Sequence, residues 1–235
     1  MVGDVYDDGQ VNAIRNPQGI WINTSVFREA GNYFMKHGVY THEPWGSPAW
    51  YDFWKEERRR CLEGYSVGGA MIPGEYYKYL NYCPIQKSEK GGFGTATKVK
   101  GFPDFWDGDY NYFWIREIAR NGVLKNNSNL TEEEKDRIYN LEPRAREKEL
   151  IKILDGLHLM FKIVPSIEKD GVRVENLLGG RDVIVLKSRR KGFSFKNASV
   201  GVNNFFHRPT AYTMQMAYDK KYLYPKGIFS MSMAY

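Results

Sequence analysis

Cysteine is scarce: Cys61 and Cys83 are the whole supply in 235 residues. A disulfide framework needs more, at regular spacing, and a zinc site needs cysteines or histidines paired a few residues apart. Cys61 and Cys83 stand far apart, and the four histidines, His37, His42, His158 and His207, are scattered and do not complete a ligand set with them. Two buried free thiols in a reducing cytoplasm are therefore expected, and neither a zinc enzyme nor a thiol enzyme. Long apolar runs are missing as well. None approaches the roughly 20 residues that a membrane-spanning helix needs. The first residues, "MVGDVYDDGQ", are acidic and lack the charged-then-apolar form of a signal peptide. Internal repeats and low-complexity tracts are absent, which excludes solenoids and arrays.

Negative charge is nearly missing from the C-terminal quarter. From Arg181 onward ten basic residues face only Asp182 and Asp219, a local charge of +8 in a chain whose total is +6, so the first 180 residues carry −2. A basic segment this concentrated suits a polyanion, either nucleic acid or the phosphates of a nucleotide; a solvated basic surface is the plainer reading. What the sequence does have is apolar and aromatic side chains, 42% and 15% of residues. That is enough for a core and excludes disorder throughout. The length allows one large domain or two small ones.

Helix signals dominate the first two thirds. Over "NTSVFREAGNYFMKHG", Asn23, Thr24 or Ser25 can cap, Val26, Ala30, Tyr33 and Phe34 share a face, and Gly38 stops the helix. In "SPAWYDFWKEERRRCLEG", Ser47 caps, Pro48 takes the first helical position and Gly64 ends the run. "GEYYKYLNYCPI" (74–85) reads as a short helix or strand entering a turn at Pro84, and "GGFGTATKVKG" (91–101) as a flexible loop. A further helix is expected from Asp107 or Asp109 to Arg120, with Gly122 as its stop. Thr131 and Glu134 have capping-box spacing. Leu150, Ile153, Leu154, Leu157 and Phe161 form one helical stripe, with His158 beside it as a packed core residue. The period then changes. Val183, Ile184, Val185 and Leu186 form a continuous apolar run, as a strand buried on both faces would.

That run enters "KSRRKGFSFKNAS" (187–199), and a helical pattern follows. Strand, loop, helix is the setting of the phosphate-binding loop Gly-x4-Gly-Lys-Ser/Thr. Gly192 and Ser194 fit its second glycine and its hydroxyl, but Lys187 stands at the first glycine and Phe193 at the lysine. The chemistry asks for less than the pattern. It needs backbone N–H groups at a helix N-terminus, which Gly192 permits before "SFKNASVGVNNFF". It needs a hydroxyl on the Mg2+ ion that bridges the phosphates of ATP, and Ser194 offers one. It also needs a cation on the outer phosphates. Lys187 has the stem to reach them, and Arg189 and Arg190 add planar donors. The plainer reading is a basic turn that grips DNA phosphate or nothing.

Lys187, Ser188, Arg190, Gly192, Phe193 and Ser194 stand in the register Lys-Ser-x-Arg-x-Gly-aromatic-Ser. The string resembles the variant Walker A motif of tailed-phage terminase large subunits, the ATP-driven motors that package double-stranded DNA into procapsids. Upstream, "YLNYCPI" and "FWDGDY", in that order, are similar to the N-terminal region of such proteins, those of crAss-like phages in particular. The likeness runs from about residue 40 to residue 235. It implies an α/β fold: a mainly helical region over 1–165 leading into the start of a P-loop NTPase core of additional-strand type over 166–235, with a parallel sheet. It implies Lys187 as the phosphate lysine and Arg190, or Arg189, as the catalytic arginine at the γ-phosphate. Ser188, Gly192 and Phe193 would be nucleotide-binding loop positions and Ser194 the Mg2+ ligand. The implied partners are double-stranded DNA, a portal protein, a small terminase subunit and the C-terminal remainder of the terminase, in the cytoplasm of an infected cell. Aromatic residues upstream of the loop can contact adenine in such ATPases. "FWDGDYNYFW" is a candidate, and a helix packed on the sheet is its plainer reading.

The sequence also departs from that family. The Walker B acid should follow an apolar strand downstream of the loop. After Ser194 the only acidic residue is Asp219, in "MAYDKKYLYP", which reads as a strand ending at a helix cap. The clustered carboxylates of the family's nuclease are absent. The expectation is therefore the N-terminal part of a larger terminase, carrying the phosphate loop without the full hydrolytic set and inactive alone. A doubly wound sheet short of strands leaves edges unpaired and apolar faces bare, so 180–235 should be the least stable region. The alternative is a non-enzymatic DNA- or portal-binding module whose basic loop, 187–196, grips phosphates.

Overall fold

The computed structural model describes residues 10–90, 96–125, 130–157, 159, 163–185, 193–209, 211, 214 and 228–233. In chain order its elements are β1 (Ala13–Arg15), β2 (Trp21–Asn23), α1 (Glu29–His37), α2 (Pro48–Glu63), β3 (Tyr65–Val67), β4 (Ala70–Ile72), α3 (Gly74–Tyr82), β5 (Ile85–Lys90) and β6 (Ala96–Gly101). They continue with α4 (Asp107–Asn121), α5 (Glu132–Tyr139), α6 (Pro143–Asp155), β7 (Ser166–Lys169), β8 (Val172–Glu175), α7 (Phe193–His207) and α8 (Ile228–Met233). The structure is mixed α/β and richest in helix. Its sheets, among the described residues, are four antiparallel pairs of neighbouring strands, with no parallel sheet. The chain forms two compact units from interleaved segments: 1–26, 63–73 and 105–186 in the first, 27–62, 74–104 and 187–235 in the second.

In the first unit α4 is a buried spine. Phe113 and Ile118 lie in the core with Leu150 of α6 and Ile138 of α5. The spine ends at Gly122, as its sequence predicts, because the chain there crosses the turn at 176–180. The Val123 N–H donates to the Leu177 carbonyl at 2.8 Å, and a Cβ on Gly122 would stand 2.7 Å from that oxygen. Thr131 caps α5 as expected: its hydroxyl accepts the Glu134 N–H at 3.2 Å while the Glu134 carboxylate accepts the Thr131 N–H at 2.8 Å. On α6, Leu150 and Leu154 are buried, but the helix ends at Asp155, so Leu157 sits in the following turn. His158 and Phe161 lie outside the described residues. The β7–β8 hairpin turns at Asp170 and Gly171, both with positive φ (52° and 73°), the geometry that an Asp-Gly pair supplies. Arg146 ties it to α6 by donating to both oxygens of Glu175, at 3.1 and 2.9 Å.

In the second unit α3 is enclosed almost completely, with Tyr76, Tyr77 and Leu80 at its centre. Helix packing this close needs small residues. A Cβ on Gly31 of α1 would meet the Leu80 carbonyl at 3.1 Å, and one on Gly74 would meet the Cys61 carbonyl at 2.5 Å. Asn81 satisfies the backbone where α1 and α3 meet, accepting the Gly31 N–H at 2.9 Å and donating to the Phe27 carbonyl at 2.9 Å. Gly38 closes α1 in the left-handed conformation, and the Ser47 hydroxyl accepts the Trp50 N–H at the start of α2. The segment read as a flexible loop contains a strand: β6 pairs with β5 from Ala96 to Gly101.

The expected buried strand at 183–186 is not formed. Val183, Ile184 and Val185 have no regular structure and join no sheet, and Ile184 is 89% exposed. The run is apolar enough to be buried, but no described strand lies beside it to bury it. Leu186 lies outside the described residues.

Candidate functional site

Of the residues singled out at the phosphate-like loop, Lys187, Ser188, Arg189, Arg190 and Gly192 lie outside the described residues. Phe193 and Ser194 are described, and they open α7. A helix therefore starts where the sequence predicts one, directly after the loop. Its first turn holds no acidic residue, Ser194 is exposed and Phe193 half-buried. The first N–H groups of any α-helix have no carbonyl inside the helix to bond, and with the helix dipole they favour an anion.

The rest of α7 is fixed into the second unit. Ala198, Ser199 and Asn203 are fully buried. The Cys83 thiol donates to the Ser199 hydroxyl at 3.1 Å, and the Asn203 amide donates to the Cys61 carbonyl at 3.3 Å. Ser199 and Asn203 are four residues apart and so share a face. Two polar residues at that spacing carry no sign of burial in the sequence, because their partners, Cys83 and the Cys61 carbonyl, are far away along the chain. Both cysteines are free and buried, as expected. Burial pushes the Cys83 thiol up to about 11 and raises Cys61 further still. Neither thiol is a nucleophile at neutral pH.

Lys196 is 7% exposed, so it is not available on the surface to grip DNA, and a basic grip would fall to the residues before it. Lys78 of α3 is equally buried, its ammonium 5.8 Å from the Phe206 ring. Burial lowers its pKa. The adenine candidate forms the first turns of α4, where Tyr110, Phe113 and Trp114 are buried. It packs in the first unit as a core helix, with no parallel sheet beneath it among the described residues. Asp219 lies outside the described residues. Among those described, no group of three or more His, Cys, Asp or Glu side chains could hold a metal ion, and no helix is long and apolar enough to cross a membrane.

A scan against family models finds no match to this chain, and searches of curated proteins and of solved structures find no significant match either.

Proposed function

We propose that this chain is the N-terminal part of a DNA-packaging ATPase of the terminase large-subunit type, with a nucleotide site at 187–194. The supporting observation is the start of α7: Ser194 is exposed on the first turn of a helix whose far face is pinned by Ser199 and Asn203. Such a helix N-terminus is held still, bears no acidic side chain, and follows directly on the most basic stretch of the sequence. These features fit Mg2+-ATP. The Ser194 hydroxyl would take the Mg2+ ion. The Gly192 and Phe193 N–H groups, with Ser188, would cradle phosphate, Lys187 would meet the outer phosphates, and Arg190 or Arg189 the γ-phosphate. When bound, the metal ion offsets phosphate charge. Double-stranded DNA, a portal protein, a small terminase subunit and the C-terminal remainder are the partners this reading carries.

Binding of a fluorescent ATP analogue tests it. Mg2+-dependent binding should fall at least tenfold in Lys187→Ala, and Ser194→Ala should lose the Mg2+ dependence. Equal affinity in the parent and both variants would sink the reading. A second reading, a DNA- or portal-binding module without a nucleotide site, is favoured by one observation: Val183–Val185 stand in no sheet. Salt separates the two, because binding to DNA phosphates weakens steeply between 50 and 200 mM salt while a fitted nucleotide site responds less.

A further inference from the structure

The first unit holds two adjoining cavities, of about 460 and 400 Å³, that share Arg15, Tyr110 and Leu157 as walls. Each approaches the size of a small-molecule site. The smaller is lined by aromatic and aliphatic side chains, with Trp21 and Phe105 beside Tyr110. The larger has an apolar floor that includes Ala70 and Met71, with Gln18 and Lys152 at its edge.

The turns that carry Gln18 and Gly69 into the wall of the larger cavity are built rather than loose. Asn16 is 2% exposed, and its amide donates to the Gly68 carbonyl at 2.6 Å while its side-chain oxygen accepts the Ile20 N–H at 2.8 Å. One buried side chain thus clamps the β1–β2 turn onto the β3–β4 turn. Gly68 and Gly69 make that turn with positive φ, 55° and 82°, a backbone that other residues rarely adopt. Tyr110 is fixed too, its hydroxyl donating to the Leu157 carbonyl at 3.0 Å.

Charge selects the ligand. The Arg15 guanidinium lies 4.8 Å from the centre of the Trp21 ring and, among the described residues, has no carboxylate partner. Lys152 is paired with Glu149 at 2.7 Å. The one acid in the walls, Asp107, is buried and accepts the Gly108 N–H at 2.5 Å, where it serves the start of α4. Arg15 is thus the exposed charge of the shared wall that has no ion-pair partner among the described residues, and it sits beside aromatic faces that stack on planar groups.

We propose that these joined cavities bind a small planar aromatic anion, its ring system in the aromatic half and its anionic group at Arg15. The site is separate from residues 187–194 and does not depend on the ATPase reading.

Calorimetric titration of the full chain with anilinonaphthalene sulfonate, an aromatic anion of suitable size, tests the proposal. One saturable site is expected, with affinity at least tenfold above that for neutral phenylnaphthylamine. Arg15→Glu should weaken the sulfonate at least tenfold and leave the neutral amine unchanged; Arg15 is exposed, so the fold tolerates the change. Ala13→Trp, a substitution that suits a strand and fills the aromatic half, should block both probes. Sulfonate affinity unchanged in Arg15→Glu, equal affinity for both probes, or no binding at all would overturn the proposal.

Discussion

Glu57 is 3% exposed, and a carboxylate so deeply buried persists only because donors surround it. Arg60 and the Tyr77 hydroxyl each donate to it at 2.7 Å, and the Tyr82 hydroxyl does so as well. Burial first, then the Glu57 charge, raises both phenols far above their usual range, so they remain donors at any working pH. Glu57→Ala would take the buried acceptor away from both phenols while Arg60 keeps Glu56 at 3.1 Å, and the expected cost is ~3 kcal/mol. A urea titration should show a lower midpoint at an unchanged slope. A loss too small to move the midpoint would contradict this. His207 gives a separate pH signature. Burial, then the charges of Lys78, Arg58 and Arg208, hold its imidazole down at about 4. The unfolded ring takes a proton near 6.5, while the folded ring stays neutral until about 4. Stability should therefore be level above pH 6.5 and fall as pH drops from there toward 4. The expected loss is ~1 kcal/mol, reduced because the ring is only half-buried. His207→Gln should flatten that window. Glu56 acts lower, since hydrogen bonds from Arg59 hold its carboxyl at about 2; its contribution is lost only as pH falls from 4.5 toward 2. Identical slopes for the parent and His207→Gln between pH 7 and pH 5 would contradict the His207 assignment.

At the scale of elements, most helix ends were legible where a chemical stop or start is written into the chain; the start of α1 was not, because Thr24–Arg28 form a 3-10 turn and the α-helix begins only at Glu29. Gly38, the Ser47–Pro48 pair and the Thr131–Glu134 box mark their helix ends where the sequence places them. Thr131→Ala should cost ~1 kcal/mol, read as a lower melting temperature, and Thr131→Ser should restore most of it. Hairpins were less legible. Lys87, Lys98 and Lys100 spread polar residues through β5 and β6, so no apolar alternation stood out beside the glycines at 91–94. The Asp170–Gly171 turn was a usable signal that the apolar run farther along overshadowed. That run, Val183–Val185, shows the limit most plainly. Apolar residues state a preference for burial but not the surface that meets it. Hydrogen exchange should separate the two parts of the C-terminal region. Amides at 183–185 should exchange early and those around Ser199–Asn203 late. Equal protection in both segments would contradict this picture and would mean that 183–185 is already paired in solution.

For the whole molecule, two interleaved units mean that neither is read from one stretch of sequence. Phe27, Tyr77, Cys83 and Ala198 all lie in the core of the second unit, although they span most of the chain. Of the candidate nucleotide site, the helix start at Phe193–Ser194 was legible because a glycine precedes a helical pattern. The anchoring of that helix was not, because Ser199 and Asn203 are polar and their burial depends on backbone carbonyl and thiol partners far away in sequence. The most direct measurement is a thermal melt of this chain with and without Mg2+-ATP, beside Lys187→Ala. Ligand at ~100 times its dissociation constant should stabilise the parent by about 2.7 kcal/mol, and the variant should melt at the same temperature with or without nucleotide. A cooperative melt of the parent that ignores saturating Mg2+-ATP would contradict the nucleotide site and leave the basic loop to DNA or to a protein partner.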